Sequence, residues 1–326
     1  MTKTAGLILA AGKSTRFKGD TPKFLHSLLG KRIIDYVTDA VQPFVDELFY
    51  VSSPKHLVHP DAIIQNDPCG TGHAVMTALP HIKADKVLIV FGDTPFISQE
   101  TIQKMCVSTT SITIAAFKTN MPDKPYGRVD PVFKKITQYK DASDQQKQNS
   151  LCHAGIMMAD YHVLVDLLPR LSTDNQAQEY YLTDVVNMFD GPIGLVEGAE
   201  EEFIGIDTRF DLAVASALLQ HKLNMKHMEN GVTFHGVANL AYDTQLGVDV
   251  EIGAHIVFGP NVIIESNVRI LPFCYLENCH IKSHCVVGPF AHIRGGTKLE
   301  EGVEIGNFVE VKKSTIGKKS KAKHHT

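Results

Sequence analysis

This sequence predicts an α/β fold in two parts, a doubly wound sheet followed by a parallel β-helix of hexapeptide repeats. Three observations carry the expectation. Up to about residue 207, strand-like apolar runs alternate with helix-like stretches, the pattern of a sheet covered by helices on both faces. After Gly231 the period changes to six, which neither a helix nor an ordinary strand produces. The chain has 326 residues, enough for two domains that each bury a core. The expected division is 1–228, including a linking helix, and 229–326.

The first element is an apolar strand, Gly6-Leu7-Ile8-Leu9-Ala10-Ala11, which runs straight into Gly12-Lys13-Ser14-Thr15-Arg16 and then Pro22-Lys23. Lys3 before this run invites a leader-peptide reading. The run is short, however, and Lys13 and Arg16 follow at once, so a buried strand is expected. Small residues let backbone N–H groups approach a polyphosphate closely, and Arg16 and Lys23 can neutralise it. Open α/β sheets bind ligands at the carboxyl ends of their strands, where this loop lies. A Walker A loop would need glycine at position 7, and Leu7 stands there. These residues point to an enzyme that handles nucleotides.

Residues 87–91, Val-Leu-Ile-Val-Phe, form the wholly apolar run of a central parallel strand, and 111–117 and 151–158 look similar. Helices are expected over 31–41, 72–79, 98–107 and 180–189. Asp207-Thr208 reads as the start of a long apolar-striped helix over 210–228. Beyond it, Val250, Ile256, Val262 and Val268 are spaced by six. Ile281, Val287, Ile293, Leu299, Ile305 and Val311 repeat that spacing after a slip of one residue. A β-helix with three short strands per coil places one such aliphatic at each interior position, whereas a sandwich would alternate at two.

Asp93, in Phe91-Gly92-Asp93-Thr94-Pro95, ends the central strand and faces the expected ligand crevice. It suits magnesium, which takes one or two carboxylates plus phosphate oxygens. The competing role is a helix cap, for which Ser98 is better placed. Asp207 is either the cap of its own helix or a second carboxylate on the metal. Cys69-Gly70-Thr71-Gly72 and Tyr126-Gly127-Arg128 are glycine turns whose amides could meet a base or phosphate, and His73 reads as a packed polar residue. The lysines at 312, 313, 318, 319, 321 and 323 form either a solvated face or, with Arg294, an anion site. A net charge of −4 argues against nucleic-acid binding. Six cysteines without a CxxC pair read as the reduced thiols of a cytoplasmic protein, and no stretch is long and apolar enough to span a membrane.

Taken in order, these motifs resemble the bacterial bifunctional UDP-N-acetylglucosamine pyrophosphorylase / glucosamine-1-phosphate N-acetyltransferase family, over essentially the whole chain. The resemblance implies a Rossmann-like nucleotidyltransferase domain and a left-handed β-helix that forms homotrimers. It implies UTP and N-acetylglucosamine 1-phosphate as substrates, UDP-N-acetylglucosamine and pyrophosphate as products, and Mg²⁺ as cofactor. Leu9, Ala10, Ala11 and Gly12 match the family's nucleotide loop, and Arg16 and Lys23 its phosphate-binding, catalytic cations. Gln65 matches the uracil reader, with Gly70 and Thr71 beside it. Phe91, Gly92 and Asp93 match the magnesium segment, and Gly127 a uridine-nucleotide contact. In the second part Arg294 and Lys312 match acetyltransferase substrate ligands, and His324 matches the catalytic base.

The sequence also departs from that family. Ser14 stands for glycine in the loop, Gln138 for a sugar-holding glutamate, His153 for a sugar-binding asparagine, and Asp207 for a metal-binding asparagine. The chain stops at Thr326, short of the coils that complete the family's acetyl-CoA site, so that site is expected to be incomplete, His324 orphaned and acetyl transfer lost. The altered sugar pocket leaves open a pyrophosphorylase for a different sugar or base. A non-catalytic regulatory subunit of the same architecture is the alternative of a different class, although such regulators usually lose the phosphate cations or metal carboxylate that are present here.

Overall fold

The computed structural model describes residues 2–132 and 134–324. Its contacts gather into two compact units, Met1–His26 with Arg32–Leu212, and Ser27–Lys31 with Ala213–Thr326. The helix Arg209–Glu229 begins in the first unit and continues into the second.

The first unit is built on one twisted sheet. Its main path runs Ile193–Glu197, Ile112–Lys118, Leu151–Asp160, Lys86–Phe91, Thr4–Ala10, Glu47–Ser52, Ile63–Ile64. Thr4–Ala10 is flanked by Glu47–Ser52 on one side and Lys86–Phe91 on the other, both parallel to it. The chain therefore steps in opposite directions from this strand, which opens a crevice at its carboxyl end. Successive side chains alternate faces. Leu7 and Leu9 pack with Val75, Ala78 and Leu164, while Ile8 and Ala10 pack with Ile34, Val37 and Ile102. That double coverage explains why the run is apolar throughout.

The strand expected at 151–158 forms as Leu151–Asp160, but it is antiparallel to both neighbours. A wholly apolar run reports burial on two faces and says nothing of direction, so sequence could not show the reversal. A bulge between His153 and Met157 interrupts its pairing with Ile112–Lys118. Gly155 sits there with φ of +78°, and a Cβ would lie 2.7 Å from the Phe91 ring.

In the second unit the described strands stack into three parallel sheets. Partners along the chain are 18 residues apart at first, as in Glu251↔Arg269 and Phe258↔Leu276. One coil then loses a residue, giving Val262↔Cys279 and Ile270↔Val287. Ile281 and Val287 stand in register with Ile264 and Ile270, two residues on from Val262 and Val268, so the slip of one is that step of two less the lost residue. A second shortening, Leu299↔Ile316 and Ile305↔Ala322, lies beyond the last aliphatic of the repeat. All ten aliphatics of the six-residue repeat are buried, Val311 the least so. Asp249, His255, Asn261 and Asn267, again six apart, adopt positive φ at the turns between strands. Asn and Asp tolerate this conformation better than other side chains do.

Candidate active site

The crevice at the end of Thr4–Ala10 collects the charged residues of the first motif. Gly92 N donates to the Leu9 carbonyl at 3.0 Å, tying the end of the first strand to the loop after Lys86–Phe91. Ile206 N donates to the Asp93 carbonyl at 2.9 Å, which brings Asp207 beside Asp93. Lys23 is buried, and its Nζ donates to an Asp93 carboxylate oxygen and to Asp207 Oδ1, the latter at 2.6 Å. Arg16 Nη2 lies 3.0 Å from the other Asp207 oxygen. Two carboxylates and two cations thus share one small space. Burial alone would lower the Lys23 pKa, but the adjacent Asp93 and Asp207 outweigh it and hold the ammonium above its ordinary range.

The cap question at Asp207 has a clear structural answer. Thr208 Oγ1 accepts from Asp211 N at 3.1 Å, and Asp211 Oδ2 accepts from Thr208 N at 2.8 Å. This reciprocal pair closes the helix start. Asp207 keeps both carboxylate oxygens for Lys23 and Arg16. Likewise Ser98 Oγ accepts from Thr101 N at 3.1 Å and caps Gln99–Cys106, leaving the Asp93 carboxylate to the crevice.

The loop carries its own signature. A Cβ on Gly12 would meet only Phe24, at 3.9 Å, so packing within the protein does not demand glycine there. Ala10 and Ala11 are buried beneath it. Ser14 takes φ of 50°, a left-handed conformation that glycine adopts at no steric cost. Its hydroxyl lies 3.4 Å from the Gly12 carbonyl and accepts from Lys23 N at 3.3 Å, linking loop to lysine.

A second group lies at the glycine turn before Thr71–Ala78. Gln65 is buried; its Nε2 lies 2.9 Å from His73 Nδ1 and donates to the Gly70 carbonyl at 3.4 Å. Gly72 N donates to the Tyr180 carbonyl at 2.8 Å, and a Cβ on Gly70 would fall 2.6 Å from the same oxygen. These glycines thus serve close backbone packing, and the Gly72 amide already has a protein acceptor. Thr71 Oγ1 accepts from Leu182 N at 3.1 Å.

Gly127, Gln138 and His153 form a third group. His153 N donates to the Gly127 carbonyl at 2.8 Å, and a Cβ on Gly127 would lie 3.7 Å from both Gln138 Oε1 and His153 Cβ. Gln138 Nε2 donates to Thr183 Oγ1 at 3.0 Å. The His153 ring Nε2 is buried with no hydrogen-bond partner, and burial pushes its pKa down to about 4.

Sequence reasoning passed over Arg128, which organises the neighbouring loop. Its guanidinium is buried and donates to the carbonyls of Pro122, Lys124, Tyr126 and Lys147, with Cys152 Sγ at 3.2 Å. Four carbonyl acceptors satisfy it where a carboxylate would be usual. Its place in the sequence, between the Tyr126-Gly127 turn and Val129-Asp130, does not distinguish it from a surface arginine.

In the second unit Arg294 and Lys312 are register partners on adjacent strands. Arg294 is already committed, since its Nε and Nη2 lie 2.7 and 2.6 Å from Glu310 Oε1. That pair holds the Glu310 carboxyl below its ordinary range and offsets the positive field on which an anion site with Arg294 would depend. His324 is exposed on another of the three sheets, opposite Asn307. Among the described residues all six cysteines are free, and no helix is long and apolar enough to cross a membrane.

Comparison with known proteins agrees with both halves of this architecture. The MobA-like NTP transferase domain family matches residues 6–154, and the bacterial transferase hexapeptide family, six repeats, matches 278–313. The three-sheet coil is accordingly a left-handed parallel β-helix of hexapeptide repeats. The chain is 36% identical over 341 residues to the bifunctional protein GlmU of Paracoccus denitrificans, covering 98% of this chain and 76% of that one. It is 38% identical over 346 residues to the GlmU of Paramagnetospirillum magneticum, covering 99% and 77%. Against the GlmU of Streptococcus suis it is 34% identical over 367 residues, covering 100% and 79%. Similarity that spans the nucleotidyltransferase sheet and the β-helix together, in the same order, cannot come from either module alone: the chain belongs to the GlmU family.

Proposed function

We propose that this protein transfers a uridylyl group, converting UTP and N-acetylglucosamine 1-phosphate to UDP-N-acetylglucosamine and pyrophosphate. The observation that carries the proposal is the convergence of Lys23, Arg16, Asp93 and Asp207 at the carboxyl end of the first strand. In the reaction an oxygen of the sugar phosphate attacks the α-phosphorus in line. The bond from that phosphorus to the bridging oxygen breaks, and pyrophosphate leaves. Arg16 and Lys23 stabilise the charge that builds on the leaving group, and amides of the Ala11–Gly12 loop add hydrogen bonds. No side chain has to act as nucleophile. Gln65, Gly70, Thr71 and Gly127 are proposed for the uridine nucleotide, and Gln138 and His153 for the sugar.

Magnesium fits the residues present. Two carboxylates reaching one ammonium form an oxygen-only donor pair of the kind a hard cation accepts alongside phosphate oxygens. When bound, magnesium supplies charge neutralisation across the phosphates, and Asp93 and Asp207 would hold it. Among the described residues no group of three or more His, Cys, Asp or Glu gathers as a metal site, so the donor set has to be completed by phosphate and water.

The cysteines, all unpaired, fit a reducing cytoplasmic setting. The β-helix unit is proposed to associate as a homotrimer. In support, His255, Phe273, Phe290 and Phe308 stack in a ladder along one corner, with ring centroids 5.0–5.2 Å apart and each phenylalanine about half exposed. An apolar stripe of this kind marks an interaction surface.

The functional test is pyrophosphate release from UTP and N-acetylglucosamine 1-phosphate. Lys23→Ala and Asp93→Ala should each reduce turnover on the order of a hundredfold or more, the loss expected when one group that stabilises the transition state is removed. Near-normal turnover in both variants would refute the assignment.

A further inference from the structure

We propose that Lys23 is the resident counter-cation of the Asp93–Asp207 pair, so that a divalent cation can occupy that pair only by displacing the Lys23 ammonium, for which phosphate is the new partner when nucleotide is bound. The inference rests on the nucleotidyl-transfer reading above and adds an order of events to it.

The Lys23 Nζ bonds to both carboxylates at once and is buried, so it sits in the position that any cation shared by the two carboxylates would take. Arg16 holds the second oxygen of Asp207 from the solvent side. The four charges sum to zero, which leaves neither a net negative site for a metal nor a net positive site for a polyphosphate. Either ligand arriving alone must break internal ion pairs without replacing them. Arriving together, the metal takes the two carboxylates and the phosphates take Lys23 and Arg16, and every charge is paired again. Coupling of this kind is reciprocal, since what metal does for phosphate, phosphate does for metal. Asp207 strengthens the device, because the asparagine that the family resemblance implies at this position would hold neither cation by charge. Ser14 Oγ, accepting from Lys23 N, keeps the lysine backbone at the phosphate loop while its side chain changes partner.

The test uses the full chain with no nucleotide added and follows Mn²⁺ binding by electron paramagnetic resonance of the free ion. Lys23→Met should bind Mn²⁺ roughly tenfold or more tightly than the unaltered protein, since about 1.4 kcal/mol of displaced ion pairing corresponds to that factor. Arg16→Met removes the same charge from the exposed flank and should tighten binding far less. That contrast separates a displaced occupant from general electrostatics. Equal or weaker Mn²⁺ binding by Lys23→Met, or equal gains in both variants, would overturn the proposal. Should Lys23→Met fail to fold, the Lys23 ε-methylene resonance of the unaltered protein serves instead. It should shift as Mg²⁺ saturates the site, and an unmoved resonance at saturation would also overturn the proposal. Pyrophosphate release by the unaltered protein tests the underlying reading separately, so either idea can fail alone.

Discussion

At the scale of single residues, environment decides which ionisable groups are available for chemistry. The His153 ring is kept neutral by burial, with its pKa lowered from 6.5 to about 4. The unfolded chain therefore takes up a proton between those values that the folded chain refuses. Stability from this residue is complete above about pH 6.5 and is lost as pH falls toward 4. The loss is at most about 3 kcal/mol, and water reaching the rest of the ring reduces it. Urea denaturation at pH 7.5 and pH 5 should show a larger drop for the unaltered protein than for His153→Asn. Identical drops would place the titration elsewhere. The sequence already marked Asp93, Lys23 and Arg16 as candidates, because charges beside a buried strand end have few other uses, and the structure brings the three together around Asp207. Why Asp207 is free for the crevice was not legible, since its release depends on Thr208 and Asp211 closing the helix between themselves. Nor could sequence assign the hydroxyl of Ser14 to Lys23 N, or Gln138 to Thr183, which lies 45 residues away.

At the scale of elements, periodicity proved the most legible feature and strand direction the least. The six-residue repeat predicted the β-helix because each repeated aliphatic has an interior position to fill, and the slip it contains combines a coil one residue shorter with a move to the neighbouring interior column. Direction of the strand Leu151–Asp160 is set by its connections, which leave no mark on the apolar pattern. Close backbone approach is equally silent in sequence. A Cβ on Gly306 would lie 1.6 Å from the Lys323 carbonyl oxygen, where Glu304–Asn307 pairs with Lys321–His324. Gly306→Ala must therefore push the last described strand off the coil. Hydrogen exchange over 321–324 should rise sharply in that variant while the sheet of the first unit keeps its protection. Unchanged exchange there would contradict the pairing. Arg128 acts at the same scale, gathering the carbonyls of the 122–127 segment so that Gly127 is presented beside Gln138 and His153.

At the scale of the whole molecule, a nucleotidyltransferase unit and a β-helix unit occupy one chain, and each carries its own expected behaviour. The proposed homotrimer, with the aromatic ladder as its interaction surface, is expected to give a trimeric mass in light scattering coupled to gel filtration. Phe273→Glu with Phe290→Glu should shift it toward smaller species, and a monomer before any substitution would contradict the assembly. The fold was legible at this scale because two distinct periods, one for a covered sheet and one for a coil, follow each other in the sequence. The candidate site was legible only as far as residues beside strand ends, since the crevice unites Arg16, Lys23, Asp93 and Asp207 across most of the first unit. The central claim is that this crevice transfers uridylyl groups, and one assay tests it most directly. Pyrophosphate release from UTP with N-acetylglucosamine 1-phosphate should proceed with Mg²⁺ and stop when the metal is chelated. A folded protein that releases no pyrophosphate from this pair with Mg²⁺ present would contradict the account.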